Sequence, residues 1–179
     1  MPTIYPLRKF MNASRKRMEI FDICKDIALK SQMRSKHSAC LERNGKIITI
    51  DCNYYGGDKN SSSLHAEATI QKKMSKMGHK LKKRCNYNLY VVRYSEASGY
   101  MNSKPCSECA KCIQNTMPYV NKVFYSYDSD NYIIQDKRNL DTDHISLGNI
   151  YRMNNRKQSN KSIVRKKNIK TNKNKPNRR

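Results

Sequence analysis

Apolar residues recur at helical spacing through residues 12–33. Met18, Phe21, Cys24 and Ala28 lie about one turn apart, and Ile20, Ile23 and Ile27 widen the stripe. Asn12 or Ser14 is placed to cap the start of this helix. The period then shortens to two. Residues 38–43 and 46–52 form strand-like runs on either side of Asn44-Gly45. Asn-Gly takes positive φ at both central positions of a two-residue turn, so a hairpin is predicted. Ile48 and Ile50 alternate with Thr49 and Asp51 and are expected to share one buried face. Residues 53–63 are rich in Asn, Gly and Ser and predict a surface loop. A second helix follows over 64–77, with Leu64, Ala68, Gln71 and Met74 on related turns and Gly78 as its stop. Residues 88–94 are rich in β-formers. A third helix is predicted from Pro105 to about Met117, halted by Pro118. Strands over 122–127 and 132–137 flank a short turn at 128–131, too short for a parallel crossover, so they are expected to pair antiparallel.

Beyond Gly148 the pattern dissolves, and charge explains why. The chain has 179 residues and a formal net charge of +23, from 37 basic against 14 acidic side chains. Residues 150–179 hold 12 of the basic residues and none of the acidic ones. Such a tail cannot offset its ordering entropy and is expected to be disordered. Two parts are therefore expected: a single packed domain over 1–149 and a Lys/Arg/Asn-rich tail over 150–179. No apolar run approaches the ~20 residues of a membrane helix. Pro2, Pro6, Arg8 and Lys9 interrupt any signal-peptide core in the first ten residues. The seven cysteines are an odd number in no secretory context, and are read as mostly reduced thiols. The expected location is intracellular, cytoplasmic or nuclear, with no membrane partner and no secretion.

Two segments carry chemistry. His65-Ala66-Glu67 and Pro105-Cys106-Ser107-Glu108-Cys109 each stand at a predicted helix start. Cys106 and Cys109 are three apart and face the same side of a helix. The positive helix terminus favours the thiolates that a metal requires. His65 adds a nitrogen. Three protein ligands leave a fourth tetrahedral position open, which distinguishes a catalytic zinc from a closed structural one. Glu67, two residues beyond His65, can project beside the metal without ligating it. Cys109 and Cys112 share the same spacing, but Cys112 is expected to pack inside its helix. Cys24, Cys40, Cys52 and Cys85 read as small buried hydrophobes. His37, His79 and His144 read as surface or packing residues.

These motifs resemble those of the zinc-dependent cytidine/deoxycytidylate deaminase superfamily. The element order over about residues 12–140 is similar too. The resemblance implies a three-layer α/β fold, a mixed sheet of about five strands flanked by helices, with the two motif helices side by side. It implies Zn²⁺ on His65, Cys106 and Cys109, and Glu67 as general acid and base. It implies hydrolytic deamination, in which zinc-activated hydroxide attacks the amino-bearing carbon while Glu67 shuttles the proton. Asn53 falls where several members contact the substrate sugar, although a turn-forming role explains it equally well.

The expected function is deamination of a cytosine nucleoside or nucleotide, since the branch nearest free cytidine deaminase joins its final strands by a short turn. Two alternatives remain. One is a nucleic-acid base editor, acting on tRNA adenosine or polynucleotide cytosine. The other is a nonenzymatic zinc-fold protein that binds nucleic acid through the basic tail. A homo-oligomer is the default that the resemblance implies.

Overall fold

A computed structural model describes residues 3–6, 13–56, 63–78, 85–146 and 150. The basic tail, His79 and Asn12 lie outside the described residues. The elements run β1 (Thr3–Pro6), α1 (Ala13–Leu29), β2 (Lys36–Arg43), β3 (Lys46–Cys52), α2 (Ala66–Met77) and β4 (Tyr87–Ser95). Then follow β5 (Gly99–Met101), α3 (Ser107–Thr116), β6 (Val120–Ser126), β7 (Asn131–Asp136) and a short 3₁₀ turn (Lys137–Asn139).

The seven strands form one mixed sheet in the order β1-β7-β6-β4-β2-β3, with β5 also on β4. Among the described residues only β4 and β6 pair parallel, as the intervening α3 crossover permits. β6 and β7 pair antiparallel from Lys122–Asp136 to Ser126–Tyr132, as their short connection requires. The sheet therefore has seven strands, where the sequence suggested about five. The extra two are β1 and β5. β1 is an edge strand on β7, and Pro6 at its end fits there because the edge needs no ladder donor.

The sheet is covered on both faces, giving three layers. On one face α2 and α3 bury Ala66, Ile70, Met74, Ala110, Ile113 and Met117 against Leu41, Leu89, Val91, Val123 and Tyr125. On the other, Ile20, Phe21 and Cys24 of α1 pack on Cys40, Tyr90, Val92, Phe124 and Tyr132. This second layer is aromatic. The Tyr90 and Phe124 rings stack at 4.5 Å, and Phe21 meets Tyr90 edge-on at 5.4 Å.

Local details revise several expectations. α1 stops at Leu29, short of residue 33, and its Ile23 points outward, 44% exposed. The buried stripe of α2 is Ala66, Ile70 and Met74, while Leu64, Ala68 and Gln71 are only half-buried. Asn44 and Gly45 take positive φ, 52° and 75°, as the hairpin demands. Leu41 pairs with Thr49 but Glu42 with Ile47, so Ile48 is left unpaired between them. This bulge breaks the alternation. Ile48 packs into the α2/α3 core and Ile50 into the α1 core, on opposite faces.

Candidate metal centre

The parallel β4–β6 pair sets where the helices begin. β4 leads through β5 and residues 102–106 into α3, so α3 starts at the C-terminal end of the central strands. The approach is held rigidly. Ser103 donates from its hydroxyl to the Val91 carbonyl at 2.8 Å and from its N–H to the Ser126 carbonyl at 2.9 Å. Pro105 then fixes the chain before Cys106, the N-cap of α3, which has extended backbone (φ −68°, ψ 166°). His65 is the N-cap of α2 in nearly the same conformation (φ −70°, ψ 151°). Neither side chain caps its own helix, so both are free to turn toward a shared point. On the loop side, Tyr54 and Leu64 exchange backbone hydrogen bonds at 3.2 and 2.8 Å. That bridge holds Asn53 next to His65.

The result brings His65, Cys106 and Cys109 together, with one ligand atom from each within 4.8 Å of the others. His65 Nδ1 lies 3.2 Å from Cys109 Sγ and 3.6 Å from Cys106 Sγ. A tetrahedral zinc with bonds of about 2.3 Å to sulfur and about 2.1 Å to nitrogen needs N···S edges of about 3.6 Å. The spacing thus fits zinc, and so does the donor set of one imidazole and two thiols. Both cysteines are nearly fully buried and His65 is half-buried. Two helix N-termini converge on this point, each equivalent to about half a positive charge, and both favour thiolate.

The protonation pattern of the chain follows. Hydrogen bonds from Cys109 and His65 lower the Cys106 thiol to about 3, against the penalty of burial. The same shared proton, with burial and the Glu67 charge, pushes Cys109 far up. Glu67 is 6% exposed, in the first turn of α2. Burial raises its carboxyl, while the facing His65, its own backbone N–H and a hydrogen bond from Cys109 pull it back down. It lies outside the group of ligand atoms, yet within hydrogen-bonding contact of one of them. Cys112 joins neither group. It is half-exposed rather than packed, with Sγ 3.3 Å from Thr116 Oγ1.

Asn53 is buried, and its amide braces the chain before β2. Its Oδ1 accepts from Ser31 Oγ at 2.7 Å and from the His37 N–H at 2.9 Å, and its Nδ2 donates to the Ser35 carbonyl at 2.7 Å. One amide hydrogen remains for another partner. Cys24 and Cys40 are fully buried, but Cys52 and Cys85 only partly. His144 is exposed, and its carbonyl accepts from the Ser107 N–H at the start of α3 at 2.9 Å.

The sequence reading missed His37. It stands on β2 in phase with Ala39 and Leu41, the residues that face α2 and α3. Extending that alternation by one step back from Ala39 would have put it beside the cysteines. Desolvation holds its imidazole down to about 4, opposed by its bond to the Ser35 carbonyl and reinforced by the nearby Arg93 and His65 charges. His37 is therefore neutral at neutral pH.

Fold and site together define an α/β/α domain of the cytidine deaminase-like fold with a candidate zinc centre at two helix N-termini. A solved structure shares that fold. A cytidine deaminase from Burkholderia pseudomallei is 17% identical and aligns over 71% of this chain and 97% of its own, with a TM-score of 0.54. A dCMP deaminase from the cyanophage S-TIM5 aligns in apo form at 23% identity over 64% of this chain and 84% of its own, with a TM-score of 0.44. The same enzyme with dCMP and dUMP aligns at 21%, over 66% and 83%, with a TM-score of 0.43. No family model and no curated protein matches the sequence.

Proposed function

We propose that the protein is a zinc-dependent hydrolytic deaminase of a cytosine nucleoside or nucleotide. The observation that carries this reading is the meeting of His65, Cys106 and Cys109 at two helix N-caps, with a buried carboxylate in contact. His65, Cys106 and Cys109 would hold the ion and leave one coordination position for the reacting water. When bound, zinc supplies a Lewis acid that brings the pKa of that water toward ~7. Glu67 then does the proton work. It takes one water proton and passes it to the ring nitrogen, then takes the second from the hydroxyl added to the carbon and delivers it to the amino group as the C–N bond breaks. Water enters, ammonia leaves, and the amino-bearing carbon becomes a carbonyl. A carboxylate suits both halves of this cycle, and its burial favours it as an acid as well as a base. Asn53 stands beside the site with one amide hydrogen to offer a substrate hydroxyl.

Two features support a free nucleoside or nucleotide as substrate. The antiparallel β6–β7 pair is the arrangement that the sequence resemblance ties to free cytidine deaminases. The described residues also carry 18 basic against 13 acidic side chains, so most of the +23 lies outside them. Among the described residues the site is not set in a strongly cationic body of the kind that polynucleotide binding favours. Incubation with cytidine, deoxycytidine, CMP, dCMP, adenosine and short RNA tests the reading. Conversion of cytosine to uracil in the small substrates is expected. Conversion of adenosine, or of RNA alone, would replace this reading with base editing.

A further inference from the structure

Arg93 sits at the site end of β4, and its side chain is unaccounted for. Leu89 and Val91 precede it in the same phase and face α2 and α3, so the Arg93 side chain leaves the sheet on the face that carries the metal centre. Across the ladder it is paired with His37. The half-buried His37 ring feels the charges of Arg93, His65 and Cys106 together, so it lies in the neighbourhood of both the guanidinium and the metal-ligand group.

Arg93 is itself half-buried. Its backbone N–H donates to Ser126 Oγ at 3.2 Å. Among the described residues its guanidinium forms no ion pair and no hydrogen bond. The ion pairs that do form involve Arg15, Lys25, Lys73 and Arg138. The carboxylates at the start of the motif helices, Glu67 and Glu108, are not among its partners. Its ladder partners, His37 on β2 and Met101 on β5, carry no carboxylate. A guanidinium is a permanent cation with five donors in a planar fork, a shape that matches phosphate oxygens. Holding it half out of water with no anion bonded to it among the described residues has a cost that a bound anion would recover.

Resting on the deaminase reading, we infer that Arg93 is a specificity-determining residue that engages the phosphate of the substrate, so that the site takes a cytosine nucleotide in preference to the nucleoside. His37 beside it presents an uncharged ring, which neither competes for the anion nor repels the cation. The two residues divide the site: the helix termini and Glu67 act on the base, and the β2–β4 end acts on the phosphate.

The experiment uses the full chain with zinc and Arg93→Ala and Arg93→Lys variants. Calorimetry measures binding of CMP, dCMP, cytidine and inorganic phosphate, and steady-state kinetics measures kcat/KM on the same nucleosides and nucleotides. A charge-assisted bidentate contact corresponds to about 10- to 100-fold in affinity. Wild type is expected to bind CMP or dCMP at least about tenfold tighter than the nucleoside, with inorganic phosphate competing. Arg93→Ala should abolish that ratio while zinc content and nucleoside binding stay unchanged, and Arg93→Lys should restore it in part. Nucleoside turnover with no preference for the nucleotide, or a preference that survives Arg93→Ala, overturns the assignment and leaves the deaminase reading standing. Failure of wild type to bind or turn over either form overturns both, and is distinguished by the missing nucleoside activity.

Discussion

Glu67 is buried and His37 half-buried, and their surroundings set them different tasks. Glu67 is poised between burial, which favours its neutral form, and the positive end of α2, which favours its charge. Desolvation outweighs the pull of the Ser35 carbonyl and the Cys106 charge and holds His37 neutral, at about 4 against an ordinary 6.5. The sign of the resulting pH dependence follows. Between about pH 6.5 and 4 the unfolded chain binds the proton that folded His37 refuses, so folding is favoured above this window and weakens as pH falls through it. The contribution is on the order of 2 kcal/mol, after allowance for partial exposure. Denaturant midpoints of wild type and His37→Gln, compared between pH 7 and pH 4.5, should converge as pH drops, because only wild type carries this term. Parallel curves would mean that the ring is solvated. At this scale the meeting of His65, Cys106 and Cys109 was legible in the sequence, because all three are defined by spacing from a helix start. His37 and Arg93 were not, because their place depends on which face of a sheet they share with elements far away in the chain.

The motif helices depend on packing for their aim. Ile113 stands one turn after Cys109 in α3 and is fully buried against the sheet. Ile113→Ala removes three carbons from a closed core and should lower stability by about 2–5 kcal/mol, read from chemical denaturation of the zinc-loaded protein. A loss below 1 kcal/mol would show that α3 is held by the metal rather than by the core. The same elements show what the pattern could convey. Periodicity located all three helices and the Asn44-Gly45 hairpin, because those signals are local. It misplaced the α2 stripe by about a residue and put Ile48 and Ile50 on one face. The bulge at Ile48 depends on how β3 registers against β2, which the alternation in β3 alone does not encode. β1 and β5 were missed because four- and three-residue strands gain their stability from the partner strand and carry little pattern of their own.

For the molecule as a whole, the layer order came from the family resemblance, and the antiparallel final pair was readable from the short 128–131 connection. Charge is apportioned unevenly. The described body is close to balanced, and the last thirty residues hold 12 basic side chains with no acidic one. We expect the tail to be separable from the chemistry. Deletion of residues 150–179 should leave zinc content and small-substrate turnover within about twofold of the full chain, measured by elemental analysis and a cytosine-to-uracil absorbance assay. Loss of zinc on truncation would make the tail part of the folded domain.

The central claim is that Glu67 moves protons at a zinc site. It is tested most directly by Glu67→Gln, which is similar in size and keeps hydrogen-bonding capacity but cannot accept or deliver the proton. Zinc content and deamination of cytidine, deoxycytidine, CMP and dCMP should be measured on the same preparations of wild type and variant. The account predicts unchanged zinc stoichiometry and a fall in kcat of at least ~10²–10⁴-fold. If Glu67 merely stabilised the start of α2, the change would be ~0.3–1 kcal/mol of stability and no more. A Glu67→Gln protein that keeps its zinc and deaminates at close to the wild-type rate would contradict the account.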